Sequence, residues 1–356
     1  MIASSKIYFL LVLLTLICGV ACQSSSETPP PEPLSDSKDD IKAYNLITID
    51  QAKLLLQSAA DHYLPVQISP QKTFGQGHIP NAQQIWRSDY TTKDTVRGIG
   101  GLIPDRAQLE DLIQSLGFNR GDTLLLYDAK ANVDACRFAW TLSLYGFEAY
   151  KLINGGLEFW KQSGHQLTKE SSAQRVRSDY TLSNLFRQDM MTNKADMLAA
   201  MDDTTTIIVD TREPYEYYGQ PFINKGKLFD YKDGAFDRGS IPKAIHSNWS
   251  SHVDLNGDHR IKSEQDLRYD LTSKGITPDK NIFLYCQSGS RTTHTYYVLK
   301  HVLDYPNVKN YDGSWIEWTY YNQMDDSTPI QYHLDNDKFA VYKDSLKNTI
   351  SYNEVH

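Results

Sequence analysis

Apolar positions are unevenly spread along the chain, and their spread divides it before any single residue is considered. Residues 7–20 form a mostly apolar run behind one charge, Lys6. That run is too short to cross ~30 Å of hydrocarbon as a helix, which takes ~20 residues. It has the length of a signal-peptide core. Residues 23–40 hold almost nothing apolar; rich in Ser, Pro and acid, they are expected to be an extended tether. Further on, short aliphatic runs at 123–127, 206–209 and 282–285 predict buried parallel strands. Helical patterns separate them. Asp50 is the expected N-cap before 52–56, and a helix over 292–302 follows the third run directly. Strands alternating with helices predict an α/β fold, parallel sheets with helices on both faces. Residues 171–184 are polar without a clear period and are taken as an interdomain connection, while 332–356 show no informative pattern.

The pattern also repeats. Asp122-Thr-Leu-Leu-Leu-Tyr127 is matched by Lys280-Asn-Ile-Phe-Leu-Tyr285, and Gly77-His-Ile-Pro-Asn-Ala82 by Gly239-Ser-Ile-Pro-Lys-Ala244. Asn154-Gly-Gly-Leu-Glu-Phe-Trp160 is matched by Asp312-Gly-Ser-Trp-Ile-Glu-Trp318. A spacing of 158 to 162 residues is a duplicated domain, not a solenoid. The length of 356 residues agrees, at ~150 residues per domain.

Composition narrows the functions. With 40% hydrophobic residues the chain has enough apolar surface to fold, which excludes wholesale disorder. The formal charge of -8 would repel a phosphate backbone, so nucleic-acid binding is not expected. Any anion must be held by local positive groups. Of the four cysteines, Cys22 follows Gly19-Val20-Ala21, which resembles a bacterial lipoprotein lipobox. Cys18 fits less well, with bulky Ile17 before it. An ordinary cleaved secretory signal is the alternative. Lipidation at Cys22 would leave Cys136 and Cys286, too few for a disulfide framework.

Cys286 lies at the C-terminal end of a predicted strand, where open α/β sheets bind ligands. The loop Gln287-Ser-Gly-Ser-Arg291 then leads into a helix. Small residues around Gly289 let successive backbone N–H groups of Gln287, Ser288, Gly289 and Ser290 turn inward as an anion-binding nest at a helix N-terminus. The same field, with the charge of Arg291, would lower the thiol pKa below ~8.5 and make Cys286 a thiolate nucleophile.

Tyr285-Cys-Gln-Ser-Gly-Ser-Arg-Thr292 followed by Tyr311-Asp-Gly-Ser-Trp-Ile-Glu-Trp318 resembles the catalytic half of a tandem rhodanese, the thiosulfate or 3-mercaptopyruvate sulfurtransferases. Asp210-Thr-Arg-Glu-Pro-Tyr-Glu-Tyr217 resembles the family's Asp-x-Arg motif, whose Asp and Arg are structural. The likeness spans roughly 45–325 and implies two tandem rhodanese-like domains. The chain then divides into a signal peptide (1–21), a tether (22–41) and an inactive rhodanese-like domain (42–170). An interdomain linker (171–190), a catalytic rhodanese domain (191–333) and a C-terminal tail (334–356) follow. Asp128 stands where Cys286 stands in the second half, which removes the nucleophile from the first. Arg137 falls where the family has an arginine reaching across to the substrate. The implied reaction moves a sulfane sulfur from a small anionic donor, through a Cys286 persulfide, to cyanide or a thiol acceptor. A ring of N–H groups suits it, because the charge to be stabilised sits on a terminal sulfur one bond beyond the thiolate.

Thiosulfate is the donor the resemblance implies, since Arg291 followed by Thr292, Thr293 and His294 looks like the bacterial enzymes described as thiosulfate sulfurtransferases. 3-Mercaptopyruvate is the alternative, for which Ser288 and His78 match two of three expected groups. A non-catalytic sensing module is a further alternative. A cysteine phosphatase is disfavoured, because four residues rather than five separate Cys286 from Arg291. No metal or other cofactor is expected: the histidines lack ligand spacing, and Asp254-Leu-Asn-Gly-Asp258 misplaces the glycine of a calcium loop. Asn248-Trp-Ser250 fits a glycosylation pattern that would be idle in a bacterial lipoprotein. Cys136 and His294 are expected to pack, and Lys225, Lys227 and Arg238 to be solvated. The expected protein is a monomer, lipid-anchored in a bacterial cell envelope.

Overall fold

A computed structural model describes residues 45–173 and 175–355, with side chains to 347. The expected signal peptide, the expected tether and Cys22 lie outside the described residues. Two five-stranded, all-parallel sheets account for the repeat. In the first, strands lie in the order Leu46–Ile47, Tyr150–Ile153, Thr123–Tyr127, Tyr63–Ile68, Gln83–Ile85. In the second the order is Met191–Thr192, Val308–Tyr311, Asn281–Tyr285, Thr206–Asp210, Ile245–His246. By position in its own half, each sheet runs first, fifth, fourth, second, third. The aliphatic runs are the central strands, covered on both faces by helices.

The repeated motifs are explained by one shared contact. The hydroxyl of Tyr127 accepts the amide of Ile79 at 3.1 Å, and that of Tyr285 accepts the amide of Ile241 at 3.1 Å. Each strand-ending tyrosine thus fixes the Ile-Pro turn of its half. Asp210 and Arg212 are fully buried as an ion pair, with Arg212 Nε 3.0 Å from both carboxylate oxygens. Arg212 also donates to the Gly239 carbonyl at 2.7 Å and lies 4.4 Å over the Trp315 ring. That pair ties the Asp-x-Arg turn to the Ile-Pro turn and to helix Ser314–Asp325.

The halves share one continuous apolar core. Helix Val133–Leu144 and helix Ser290–Tyr297 occupy the same place in their halves, are buried along their whole lengths and pack against each other. Phe138, Trp140, Tyr296 and Tyr297 join both sheets' interiors. The interface is therefore as apolar as a domain core and holds the halves in fixed register.

Several local expectations are corrected. Thr48, not Asp50, caps the first helix: its Oγ1 accepts from Gln51 N at 3.1 Å while Gln51 answers with its side chain. The helix after Cys286 begins at Ser290, two residues early, because Gly289 supplies the left-handed turn into it. The polar connection is a strap on the first half, with Arg175 on Asp122 and Arg177 on Asp111. The patternless tail contains a helix, Asn336–Val355. It is tied down by Lys343 on Asp230 and by Arg238, which is buried and donates to the Leu334 carbonyl.

Removing one member of the Asp210–Arg212 pair leaves a buried charge without its partner, a cost of ~3–5 kcal/mol. Arg212→Leu is expected to shift the urea unfolding midpoint down accordingly, and an unchanged midpoint would contradict the structural role.

Candidate active site between the two halves

The strand Asn281–Tyr285 delivers Cys286 to the sheet's C-terminal edge, and the next residues turn into the helix. Gly289 makes that turn at φ 77°. A Cβ there would lie 2.8 Å from the Asp312 carbonyl and 3.0 Å from Arg137 Nη1, so only glycine fits. The loop's outer groups are tied down first. Cys286 N donates to Ser314 Oγ at 3.2 Å, and its carbonyl accepts from Trp315 N at 3.0 Å. The Gln287 carbonyl accepts from Ile316 N at 3.1 Å. The inward N–H groups of Ser288, Arg291 and Thr292 are left for Cys286 itself.

The thiol is 1% exposed. Burial pushes its pKa up, but the Arg291 charge and the N–H groups of Thr292, Ser288 and Arg291 outweigh it, and the thiol titrates below its ordinary value. Arg291 is not a free cation. Its guanidinium forks onto Glu216, with Nη2 to Oε1 at 2.8 Å. Burial opposes the Glu216 carboxylate, yet Arg291, Lys232 and Arg212 hold it down to about 2. Its contribution to stability is therefore complete above the ordinary carboxylate range and is lost as pH falls through about 2.

The loop of the first half shows what the nest does. Asp128 occupies the position of Cys286, and its carboxylate accepts from the N–H groups of Lys130 at 2.6 Å, Asn132 at 2.8 Å, Asp134 at 2.7 Å and Ala135 at 3.2 Å. The nest exists in both halves; in the first, the chain's own anion fills it.

Each half also lays a hairpin over the other's loop. Ile103 N of the first half donates to Asp312 at 2.9 Å, and Ile261 N of the second donates to Asn154, the counterpart of Asp312, at 3.1 Å. The rejected calcium loop is part of this second hairpin. Arg97 reaches over to Glu317 at 2.9 Å and Tyr321 at 2.6 Å.

The sequence-derived residues Cys286, Gln287, Ser288, Gly289, Ser290 and Arg291 thus form one loop, with Ser288 alone half-exposed at its mouth. Arg137 does cross between halves, but it is fully buried and closes on protein groups: the Gly101 carbonyl at 2.8 Å, the Gly289 carbonyl at 3.3 Å and Asp312 at 2.7 Å. His78 is stacked on Phe74, its ring nitrogens 3.1 Å from the carbonyls of Phe74 and Glu170. Cys136 and His294 are buried, as expected. Sequence reasoning missed Glu216, although it stands inside the quoted Asp210–Tyr217 motif. It also missed the cations facing the loop. Lys232 sits 3.6 Å from Glu216, and burial lowers its pKa, aided by Arg291 and opposed by Glu216 and Cys286. Arg87, on the first half's helix Arg87–Tyr90, pairs with Asp134 at 2.7 Å. Burial works against that cation, and Asp134 and, more weakly, Cys286 keep it charged.

A parallel-sheet pair with a nucleophile-bearing nest at the edge of one half defines a class, and the comparisons name it. Residues 48–163 and 193–320 each match the Rhodanese-like domain family, so the chain belongs to that family and carries two such domains in tandem. It is a sulfurtransferase. The sulfur carrier protein TtuD of Thermus thermophilus is 34% identical over 252 residues, covering 69% of this chain and 83% of that one. A thiosulfate sulfurtransferase of Azotobacter vinelandii is 31% identical over 283 residues, covering 79% and 96%. In fold, the anaerobic ergothioneine biosynthesis enzyme of Chlorobium limicola superimposes with a TM-score of 0.65 at 18% identity, over 82% of this chain and 71% of that one.

The electrostatics give a titration to measure. Alkylation of Cys286 by iodoacetamide is expected to follow a midpoint below ~8.5. The double variant Arg291→Ala/Glu216→Gln, which removes the pair without stranding a buried charge, should raise that midpoint by roughly one unit or more. An unmoved midpoint would show that Arg291 does not set the thiol's charge.

Proposed function

We propose that this chain is a thiosulfate sulfurtransferase working through a persulfide on Cys286, with cyanide or a thiol as acceptor. The observation that carries the reading is the ring of Ser288, Arg291 and Thr292 N–H groups around a buried, acidified thiol. The Cys286 thiolate attacks the outer sulfur of thiosulfate. A bond from Sγ to that sulfur forms, the donor's S–S bond breaks, and its electron pair leaves with sulfite. The negative charge then rests on the outer sulfur, one bond beyond Sγ. The N–H groups that met the thiolate are already oriented towards it, so little reorganisation is needed. In the second step the acceptor takes the outer sulfur, and Cys286 returns as thiolate.

Thiosulfate is a dianion, and the protein's net charge of -8 makes local cations necessary. Lys232 of the second half and Arg87 of the first, both within electrostatic reach of Cys286, supply them at the mouth. Arg137, closed on Gly101, Gly289 and Asp312, acts as a brace that positions the loop. For the cell envelope, the support is the apolar run at 7–20 and the Gly-Val-Ala-Cys22 sequence. Among the described residues no helix is long and apolar enough to cross a membrane.

With thiosulfate and cyanide, Cys286→Ser is expected to abolish thiocyanate release while the unfolding transition is kept. A persisting rate would remove Cys286 from the mechanism. Arg87→Ala should raise KM for thiosulfate ~10-fold, the weight of about 1.4 kcal/mol, with kcat within twofold. A loss confined to kcat would refute a donor-binding role for Arg87.

A further inference from the structure

The two halves differ most between their second and third sheet strands. The first half spans that gap with residues 69–82, the second with 211–244. Part of the extra chain is a hairpin, Phe222–Asn224 against Lys227–Phe229. Its two-residue turn, Lys225-Gly226, has φ of 49° and 74°, the left-handed pair that matches strand twist. Phe222 stacks on Phe229 across the strands at 5.5 Å, and Tyr215 meets Phe222 at 4.7 Å. The three rings, with Ile223 and Lys232, line a cleft of about 570 Å³.

This cleft adjoins the reacting loop. Gln287, next to Cys286, donates its side-chain amide to the carbonyls of Lys232 at 3.4 Å and Asp233 at 3.1 Å, so the cleft's inner edge is fastened to the loop. A smaller hollow shares Tyr215, Phe222 and Lys232 with the cleft and continues to Gln287 and Trp315. The volume is that of a small-molecule site, which neither cyanide nor thiosulfate would fill. Aromatic walls favour an apolar body. Lys232 favours one anionic group, and Asp233 on the same lining disfavours a second.

We propose that the cleft formed by Tyr215, Phe222, Phe229 and Lys232 seats the sulfur acceptor, a low-mass organic thiol with an apolar body and a single anionic group. The inference rests on the sulfurtransferase reading above and names the acceptor class for it. The acceptor's thiolate attacks the outer sulfur of the Cys286 persulfide. A new S–S bond forms on the acceptor, the bond to Sγ breaks, and its electron pair returns to Cys286. The acceptor leaves as a persulfide, and no oxidant or reductant is consumed.

The half-reactions can be separated. The full chain is loaded with thiosulfate, freed of excess donor, and discharged in a single turnover by cyanide or by 4-mercaptophenylacetate at a series of concentrations. Phe222→Ala and Phe229→Ala are expected to raise the half-saturating concentration of the aromatic thiol at least tenfold, while loading and cyanide discharge stay within twofold. Unchanged loading shows that the variants are folded. Because each thiol is compared between variants, its own acidity cancels. Lys232→Met should narrow the preference for 4-mercaptophenylacetate over uncharged 4-methylthiophenol. An unchanged thiol curve in both Phe variants, or equal slowing with cyanide and thiol, would overturn the acceptor site while leaving the persulfide intact. Failure of the wild type to load any cyanide-removable sulfur would overturn the sulfurtransferase reading first, and this inference with it.

Discussion

A strand that turns directly into a helix leaves a ring of backbone N–H groups without intrahelical partners, and something must satisfy them. Both halves of this chain meet that constraint with an anion. In the first half it is the Asp128 carboxylate, held by four amides. In the second the ring faces Cys286, whose thiol Arg291 and these N–H groups hold below its ordinary titration range. The difference decides function. A carboxylate with every oxygen engaged is inert, whereas a thiolate in the same ring is a nucleophile, and the persulfide proposed above would keep its charge in reach of the same donors.

Holding the ring open requires its outer groups to be fixed from outside the loop, and the first half supplies part of that fixing. Arg137 and Ile103 come from the first half and grip Gly289 and Asp312, with Arg137 itself braced on the Gly101 carbonyl. Since helices Val133–Leu144 and Ser290–Tyr297 share one apolar interface, the grip has a rigid base. The second half repays the geometry through Ile261 and Arg260, which close over Asn154 and Phe159. Loss of the first half would therefore cost more than a cation: it would remove the wall against which the loop is set.

Much of this was legible in the sequence because its signal is local. The duplicated strands are short uninterrupted aliphatic runs, and Cys286 announces itself by lying between such a run and a Gly-containing helix start. The six loop residues were found for that reason. Arg137 shows where local reading stops. Its place on a helix is visible, but its burial depends on Asp312 and Gly101, 175 residues ahead and 36 behind. Arg87 and Lys232 have no motif at all and gain meaning only when the halves are packed. Glu216 lay inside a quoted motif, yet nothing short of the fold pairs it with Arg291. The tail was unreadable because helix Asn336–Val355 is largely exposed over its described side chains and lacks an apolar stripe, so its place is set by ion pairs such as Lys343–Asp230.

Placing the nucleophile between halves also separates two demands that one surface could not meet together. Recognition of a small dianion, as proposed, calls for cations within electrostatic reach of Cys286, and Arg87 and Lys232 lie one in each half. An organic acceptor calls for apolar area, which a nest of amides cannot provide. In the proposed acceptor site that area comes where it does not disturb the nest, in the connection that differs most between halves. There the hairpin needs only the Lys225-Gly226 turn and the Phe222–Phe229 stack to hold its shape. Glu216 links the two regions, since a single carboxylate holds Arg291 behind the thiolate and Lys232 at the cleft.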